Sequence, residues 1–452
     1  MKKSFLRLLL LLACVILFAS SAFAEHLFGP DELDTTYGAT LRLRQEIWDN
    51  AFDLNTLNTP NRNFFRLKTY LWTRLDYDKK VALRVALTNE AKYYLPVSTF
   101  KPTPNSRLDE DELVFDNLFV DLNLKKLMNI PVDLRLGRQD FLFTHGEGFL
   151  LMDGTPGDGS RTFYFNAAKA NIKFNDNHNV DLIYITNPRT DIYLPSLNTP
   201  PAKKRLNTSD EQGFVVYGRN KISPQFSIEP YYIYKTEDPF GANQKLKLNT
   251  VGARAVLTAQ GWRVRGEFAH QFGEYNNGRD REGNGGYLFV GRKYTDVALK
   301  PEFDLGFIFL SGDDPNTAAH EGWNPLFSRW PIWSELFIFT QARETAADSA
   351  VPAYWTNLKI IRANAKVHFT PDTNLSVWYN YLWADESTKG LNAAMFSNSG
   401  KDRGHLPQAM LSHKFSKKVD GYLLVEHFIP GNFYNSNADS ATFFRWQLQV
   451  KL

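Results

Sequence analysis

The chain has 452 residues, of which 43% are hydrophobic, 14% aromatic and 22% charged, and its formal net charge is +3. A charge this close to zero argues against nucleic acid as a partner, because nucleic-acid-binding domains are strongly basic. The single cysteine, Cys14, excludes an intrachain disulfide and a cysteine-based metal centre.

The first 24 residues have the pattern of a secretory signal peptide. Lys2, Lys3 and Arg7 accompany an apolar run over 8–18, and an A-x-A cleavage site ends at Ala24. The alternative is a lipobox ending at Cys14, with that cysteine acylated and retained. Cleavage after Ala24 removes three basic residues and no acidic residue, which takes the net charge from +3 to 0. We therefore predict an exported mature chain, 25–452, that forms a single domain.

The mature chain alternates apolar and polar residues rather than grouping them. In the first such segment, Leu41 and Leu43 alternate with Arg42 and Arg44, which is the period-2 pattern of a strand. No later stretch approaches the ~18 apolar residues that a membrane helix requires. An exported, alternating, aromatic-rich chain is typical of an outer-membrane β-barrel, which crosses the bilayer without any long apolar run.

The alternation predicts an all-β fold, a transmembrane antiparallel barrel of about 18 strands. The predicted strands are 38–48, 63–77, 81–90, 117–124, 132–139, 168–174, 180–186, 213–221, 225–235, 248–259, 262–273, 287–298, 302–310, 358–369, 375–383, 406–415, 422–428 and 442–452. Long extracellular loops alternate with short periplasmic turns in this prediction. The long connections start near Asp49, Ala91, Asp140, Asn187, Thr236, Glu274, Ser311, Ala384 and Pro430.

Two stretches depart from the simple plan. Strict alternation would aim Arg138 at the apolar face, so we expect a bulge at Gly137 or a strand end there. The connection 311–356 is rich in tryptophan and phenylalanine, and we expect it to fold onto the rim or into the lumen. At about 18 strands the lumen is too wide for side chains to fill and is predicted to be aqueous.

The polar face of the predicted strands is rich in arginine, which stays charged and binds carboxylates with a planar fork. Rings of basic residues make a pore anion-selective. The basic residues assigned to the lumen are Arg42, Arg44, Arg66, Lys68, Arg74, Arg84, Arg135, Arg138, Arg263, Arg265, Arg362, Lys366 and Arg445, and the acidic ones are Glu46, Asp76 and Glu267.

The alternative reading is that these charges neutralise one another. The pairs Arg42 with Glu46, Arg74 with Asp76, and Arg265 with Glu267 would then be structural. Aromatic residues of the same face, Trp72 and Trp378, either stack on sugars or pack beneath loops.

Catalytic and metal-binding patterns find little support. The chain has no G-x-S-x-G elbow, no H-E-x-x-H motif and no Cys/His cluster. His145 beside Glu147 is interpreted as a turn feature rather than an acid/base pair. We predict no enzymatic activity and no cofactor, with calcium at the loop 311–314 and an outer-membrane hydrolase as the alternatives.

Four short segments resemble the alginate export family. They are LRLGRQ at 134–139, SGDD at 311–314, NPLF at 324–327 and GNFY at 431–434 within the ending 421–452. The resemblance implies an outer-membrane barrel that secretes alginate through an arginine-lined pore, with Arg135 and Arg138 at the constriction. It also implies a periplasmic repeat-rich lipoprotein as partner. The secretin that defines the family has a long late periplasmic turn, whereas the turn at 415–419 is short here.

The sequence as a whole predicts a passive channel in the outer membrane of a Gram-negative bacterium. Its expected cargo is an anionic polysaccharide such as an alginate-like polyuronate, and the alternative is an anion-selective porin that takes up small acidic solutes. Besides outer-membrane lipid, the expected partner is the barrel-assembly machinery. That machinery reads the final strand, which ends here on Leu452 rather than on the usual aromatic.

Overall fold

The computed structural model describes residues 32–57, 61–100, 106–141, 144–152, 164–195, 197, 206–238, 244–328, 331–345, 354–388, 391 and 393–452. The predicted signal peptide 1–24 and Cys14 lie outside the described residues.

Alternating sequence produces strands throughout the described chain. The strands are β1 Leu33–Asp49, β2 Arg62–Tyr77, β3 Val81–Tyr94, β4 Leu108–Asn123, β5 Val132–Gln139, β6 Leu151–Met152, β7 Phe165–Asn175, β8 His178–Asn187, β9 Asp210–Lys221, β10 Phe226–Asp238, β11 Leu246–Ala259, β12 Trp262–Tyr275, β13 Asp280–Lys293, β14 Glu302–Leu310, β15 Phe327–Ser328, β16 Leu358–His368, β17 Thr373–Trp383, β18 Asp402–Lys414, β19 Val419–Pro430 and β20 Ala441–Lys451. Three short helices are α1 Leu124–Met128, α2 Glu335–Thr340 and α3 Ala342–Thr345.

The eighteen long strands close into one antiparallel barrel. Each pairs with the next along the chain, and β1 pairs with both β2 and β20, with Leu41 opposite Val450 in the closing register. Closure leaves no sheet edge, which is what a spanning sheet requires. The predicted all-β transmembrane barrel is confirmed, and every predicted strand overlaps an observed one. No helix in the part of the chain that the structure describes is long and apolar enough to cross a membrane.

The barrel wall is apolar on the outside and charged on the inside. In β1, Leu41 and Leu43 are 39% and 36% exposed, whereas Arg42 and Arg44 between them are 5% and 0% exposed. A water-soluble protein would show the opposite order. The outer row of exposed leucines, valines and aromatic residues is therefore the surface that faces lipid.

Two predicted strands start far from the observed positions. The strand expected from 117 begins at Leu108 as β4. The strand expected at 287–298 is β13 Asp280–Lys293, so the connection expected to be long after Glu274 is the short turn 276–279. The opposite connection, 294–301, is the longer of the two. The first half of β13 alternates glycine with charged or amide residues rather than with apolar ones, so the period-2 signal is weak there although β12 pairs along it.

The backbone at Gly137 is unusual, but the predicted bulge is absent there. Gly137 has φ +125°, while the register between β4 and β5 continues unbroken as far as Arg138. A Cβ atom at Gly137 would lie 2.3 Å from the Leu118 carbonyl oxygen, so only glycine fits. Arg138 stays opposite Leu118 and Asn166 in this register. It is 2% exposed because Asp191 and the Tyr164 ring contact it.

Two connections fold into the lumen, as predicted for the second of them. Residues 144–152 follow β5, residues 323–328 and 331–345 follow β14, and the two stretches meet in the short parallel pair of β6 with β15. Phe149 stacks on Trp323 with ring centroids 5.3 Å apart. We call residues 144–152 the first inner segment, and residues 323–328 with 331–345 the second inner segment. Together with the wall they form the largest apolar cluster of the described chain, so both segments pack tightly against the inner face of the wall.

Candidate functional site

The lumen wall beside the seam, where β1 pairs with β20, carries a buried charge cluster that we call the seam cluster. Glu46 lies 3.0 Å from Arg445, 3.5 Å from Arg66 and 3.7 Å from Arg44, measured between carboxylate oxygens and guanidinium nitrogens. Arg66 also reaches Glu90 at 2.5 Å. Side chains in this cluster are almost inaccessible to solvent, so its charges stabilise one another and the wall.

Two further predicted lumen residues border the seam cluster. Lys68 lies 3.8 Å from Glu90, and Arg42 is 5% exposed in the same inward row of β1. Of the three predicted pairs, Arg42 with Glu46 is replaced by the contacts of Arg44, Arg66 and Arg445.

A cavity of about 440 Å³ opens at the end of the barrel that carries the short turns. Arg74 donates to Asp121 at 2.6 Å and lies 3.4 Å from Asp76, so the predicted pair of Arg74 with Asp76 is present. Arg135 binds the same Asp121 at 2.7 Å. Lys169 also lines this cavity.

Arg138 is held in the wall rather than in the open lumen. It donates to Asp191 at 2.7 Å and to Asn166 at 3.2 Å, and its guanidinium lies 3.9 Å from the centroid of the Tyr164 ring. The two arginines that the family resemblance assigned to the constriction are thus both neutralised by aspartates, Arg135 by Asp121 and Arg138 by Asp191.

The first inner segment is anchored by its own charged residues. Nε2 of His145 lies 2.8 Å from Asp181, and burial lowers the pKa of His145 to about 4. Glu147 is surrounded by Arg254, Arg263 and Arg265 of β11 and β12. Both residues that were interpreted as a turn feature therefore bind charged side chains of the barrel wall.

The predicted pair of Arg265 with Glu267 does not form. Arg265 binds Glu147 at 3.1 Å and Asp304 at 2.7 Å. Glu267 accepts hydrogen bonds from the hydroxyls of Tyr231 and Tyr287 at 3.0 and 2.9 Å instead.

The second inner segment is anchored on the opposite part of the wall. Glu426 accepts from the backbone N–H of Leu336 at 2.9 Å and from the Ser334 hydroxyl, so it caps the start of α2. Arg362 donates to the Trp333 carbonyl at 3.1 Å, and Arg445 binds Glu335 at 3.2 Å. Wall charges that the sequence assigned to the lumen therefore hold this segment in place.

Several half-buried wall cations keep no carboxylate partner within 4.0 Å among the described residues. Arg62 and Arg292 lie over aromatic rings. The other four are Arg84, Lys169, Arg362 and Lys366. Two of them face tryptophans: Arg84 lies 4.2 Å from the centroid of Trp72, and Arg362 lies 5.6 Å from that of Trp378. An arginine on the ring is a form of packing that the sequence analysis did not anticipate for either tryptophan.

Several lumen cations were missed by the sequence analysis. Arg254 lies on the inward parity of β11, which strict alternation would have revealed. Arg219 follows Val215 and Tyr217 on the inward face of β9, where apolar residues pack against the inner segments and hide the alternation.

The predicted loop calcium at 311–314 stays a prediction. Asp313 in that loop lies 3.2 Å from Arg279 and accepts from the Glu321 backbone N–H at 2.9 Å. Within the described ranges, no group of three or more His, Cys, Asp or Glu side chains is arranged to hold a metal ion.

Solved structures with the same architecture are outer-membrane porins. OccAB1 of Acinetobacter baumannii has a TM-score of 0.58 at 10% identity, covering 93% of this chain and 96% of its own. A BenF-like porin from Pseudomonas fluorescens Pf-5 has a TM-score of 0.59 at 10% identity, covering 93% and 98%. OccK2 (OpdF) of Pseudomonas aeruginosa, solved in complex with glucuronate, has a TM-score of 0.55 at 12% identity, covering 93% and 98%. At these identities the likeness is one of fold.

No curated protein matches this chain. The profile of the alginate export family matches residues 34–447, from the start of β1 into β20. This family and the porin-like fold indicate a channel in the outer membrane of a Gram-negative bacterium. Because this profile matches nearly the whole barrel, the chain belongs to the alginate export family.

Proposed function

We propose that this barrel is a passive channel for carboxylate-bearing sugars and that its cargo is an alginate-like polyuronate leaving the cell. The observation that carries the proposal is a group of half-buried wall cations without a carboxylate within 4.0 Å, among them Arg84, Lys169, Arg362 and Lys366. Cations that form no ion pair with a carboxylate of the protein favour anions in a lumen. The family supports the polymer as cargo.

Transport along such a path needs many weak contacts rather than one tight site, because a strongly bound anion would block the channel. Guanidinium and ammonium groups spaced along the wall meet this requirement for a chain with one carboxylate per sugar unit. A passive pore supplies no driving force, so export would require a periplasmic partner, and we propose the repeat-rich lipoprotein that the family implies.

The second candidate function is uptake of small acidic solutes. The packing of both inner segments inside the barrel favours it, because a narrowed lumen suits a monosaccharide better than a polymer. The neighbour OccK2 (OpdF), which was solved with glucuronate, supports the same candidate.

The test is single-channel recording of the refolded mature chain in a KCl gradient, with glucuronate or oligouronate added to either side. We expect an anion-selective current that glucuronate blocks. Arg84→Gln combined with Lys169→Gln and Lys366→Gln should shift the reversal potential toward cation selectivity and weaken the block several-fold, on the order of three- to tenfold.

The matched control removes three cations that already have carboxylate partners at the strand ends. Lys173 lies 2.5 Å from Asp133, Lys293 lies 2.8 Å from Glu302, and Lys451 lies 2.8 Å from Asp420. Their replacement by glutamine changes the total charge equally. An equal shift in the control would contradict the assignment of selectivity to the unpaired cations. Conduction of glucuronate without passage of oligouronate would favour uptake over export.

A further inference from the structure

The Glu147 carboxylate occupies a cradle of three wall arginines. Its oxygens lie 3.2 Å from Arg254 Nη2, 3.5 Å from Arg263 Nη2 and 3.1 Å from Arg265 Nε. These donors come from β11 and β12, which are rigid parts of the barrel, whereas Glu147 comes from the first inner segment. The wall therefore presents a preformed carboxylate-binding geometry that a residue of the same chain fills.

Without Glu147, the cradle and the wall acids bound to it carry one net positive charge, which one carboxylate can neutralise. Arg254 is also bound by Glu229, with both oxygens 3.1 Å from Nη1, and Arg265 is also bound by Asp304 at 2.7 Å. Arg263 has no other carboxylate within 4.0 Å among the described residues. Three arginines and two wall acids leave one positive charge, which Glu147 neutralises.

The Glu267 carboxylate forms no ion pair with any of these three arginines, so it does not neutralise them at contact distance. It is 6% exposed and accepts hydrogen bonds from the hydroxyls of Tyr231 and Tyr287. Its two neighbours in the wall thus satisfy it without an arginine.

The site is open to the lumen. The side chains of Glu147 and Arg263 are 33% and 51% exposed, unlike those of the buried seam cluster. Glu147 is flanked by Gly146 with φ +65° and Gly148 with φ +83°. Glycine on both sides lets the backbone at this position rotate at low energetic cost.

The first inner segment does not depend on Glu147 to stay docked. His145 binds Asp181 at 2.8 Å on one side of it, and the Ser328 hydroxyl donates to the Gly148 carbonyl at 2.6 Å on the other. Phe149 stacks on Trp323 beyond that. Glu147 can therefore leave the arginines while the rest of the segment keeps its contacts.

We propose that Arg254, Arg263 and Arg265 form a carboxylate-binding site for the permeating uronate, and that Glu147 is a resident competitor that the uronate displaces. The proposal rests on the proposed function and gives it a location and a regulator. An internal carboxylate in the site prevents tight trapping of the cargo, because each arriving uronate has to replace Glu147. It also keeps the arginines paired when no cargo is present.

The primary test is Glu147→Gln, which keeps the shape of the side chain and removes its charge. We expect the glucuronate concentration for half-maximal block to fall on the order of tenfold, because a charge-assisted competitor is lost. Titration calorimetry with glucuronate in detergent should give the same change. Glucose, which lacks a carboxylate, should show no change. An unchanged or weaker affinity for glucuronate would overturn the proposal.

Two further variants locate the effect. Glu302→Gln makes the same change of charge at a lumen acid bound by Lys293 and His368, and we expect it to change the affinity by about twofold or less. Arg263→Gln, at a half-exposed position, should weaken glucuronate binding several-fold, on the order of three- to tenfold, in wild type and should reverse the gain in the Glu147→Gln background. No effect of Arg263→Gln in either background would also overturn the proposal.

These outcomes separate the site from the function. A wild-type channel that glucuronate does not affect and that does not select anions would contradict the proposed function. A wild-type channel that glucuronate blocks, with equal affinity in Glu147→Gln and Glu302→Gln, would leave that function standing and exclude Glu147 as a competitor.

Discussion

At the scale of single residues, Glu46 shows why the arginines near the seam are structural. Its side chain is 0% exposed and its nearest charged neighbours are Arg44, Arg66 and Arg445. Without the carboxylate, these guanidinium groups would be left to repel one another away from bulk water. Removing one partner of a buried ion pair costs about 3–5 kcal/mol, far more than the net worth of the pair.

We therefore expect Glu46→Gln to lower the free energy of unfolding by about 3–5 kcal/mol. Urea unfolding of the barrel in lipid vesicles, followed by tryptophan fluorescence, measures this change. The control is Asp420→Asn, whose partner Lys451 lies 2.8 Å away at a half-exposed strand end and whose loss should cost about 0–1 kcal/mol. Equal effects of the two variants would mean that the seam arginines find other acceptors.

Residue parity predicted which side chains point inward but not what they bind. Alternation placed Arg44, Arg66 and Arg445 on one face, and all three are buried inside the barrel. The partners come from other strands or from the inner segments, so no local spacing reports them. Glu267 illustrates this, because its partners Tyr231 and Tyr287 are distant in sequence and Arg265, two positions away, binds elsewhere.

At the scale of elements, the first inner segment depends on a neutral histidine. Burial holds the pKa of His145 at about 4, below its ordinary 6.5. The charged groups around it are Asp181 of β8, Arg219 of β9 and Lys169 of β7. The unfolded imidazole takes up a proton near pH 6.5 and the folded one only near pH 4, so stability falls as the pH is lowered through that interval.

We expect the thermal midpoint of wild type to fall more steeply between pH 7 and pH 4 than that of His145→Gln, which cannot take up the proton. Glutamine can still donate an N–H to Asp181, so docking at pH 7 should be largely kept. Circular dichroism melts at several pH values provide the comparison. Parallel pH dependence in the two proteins would show that other groups control the acid sensitivity of the barrel.

Strands were predictable from sequence because period-2 alternation is a local signal. The predicted start of β13 was wrong because glycine residues interrupt that signal in its first half. The aromatic content of 311–356 predicted that this connection packs somewhere, whereas the docking of the first inner segment was not predicted. Glu147 in this segment binds Arg254, Arg263 and Arg265, which lie more than one hundred residues away. No local sequence pattern reports such contacts.

At the scale of the whole molecule, the barrel combines a packed interior with a residual positive wall. Most lumen arginines hold the inner segments or the seam, and the mature chain predicted from the signal peptide has no net charge. Selectivity therefore depends on a small local excess of wall cations without a carboxylate within 4.0 Å, which includes Arg84, Lys169, Arg362 and Lys366. A small excess acts over a limited distance, and dissolved salt shortens that distance further.

A small excess of wall charge predicts a strong dependence of selectivity on ionic strength. The Debye length is about 10 Å at 0.1 M salt and about 3 Å at 1 M. A few cations spread over the wall therefore act on most of the lumen only at low salt. We expect the anion-to-cation permeability ratio, taken from reversal potentials at a fixed threefold KCl gradient, to fall toward one as the mean concentration rises from about 0.1 M to about 1 M. In the variant lacking the charges of Arg84, Lys169 and Lys366, the ratio should start lower and change less. A ratio that stays constant with salt in wild type would mean that anions are selected at close contact in a dehydrated passage, and the local excess of wall charge would then not be the cause.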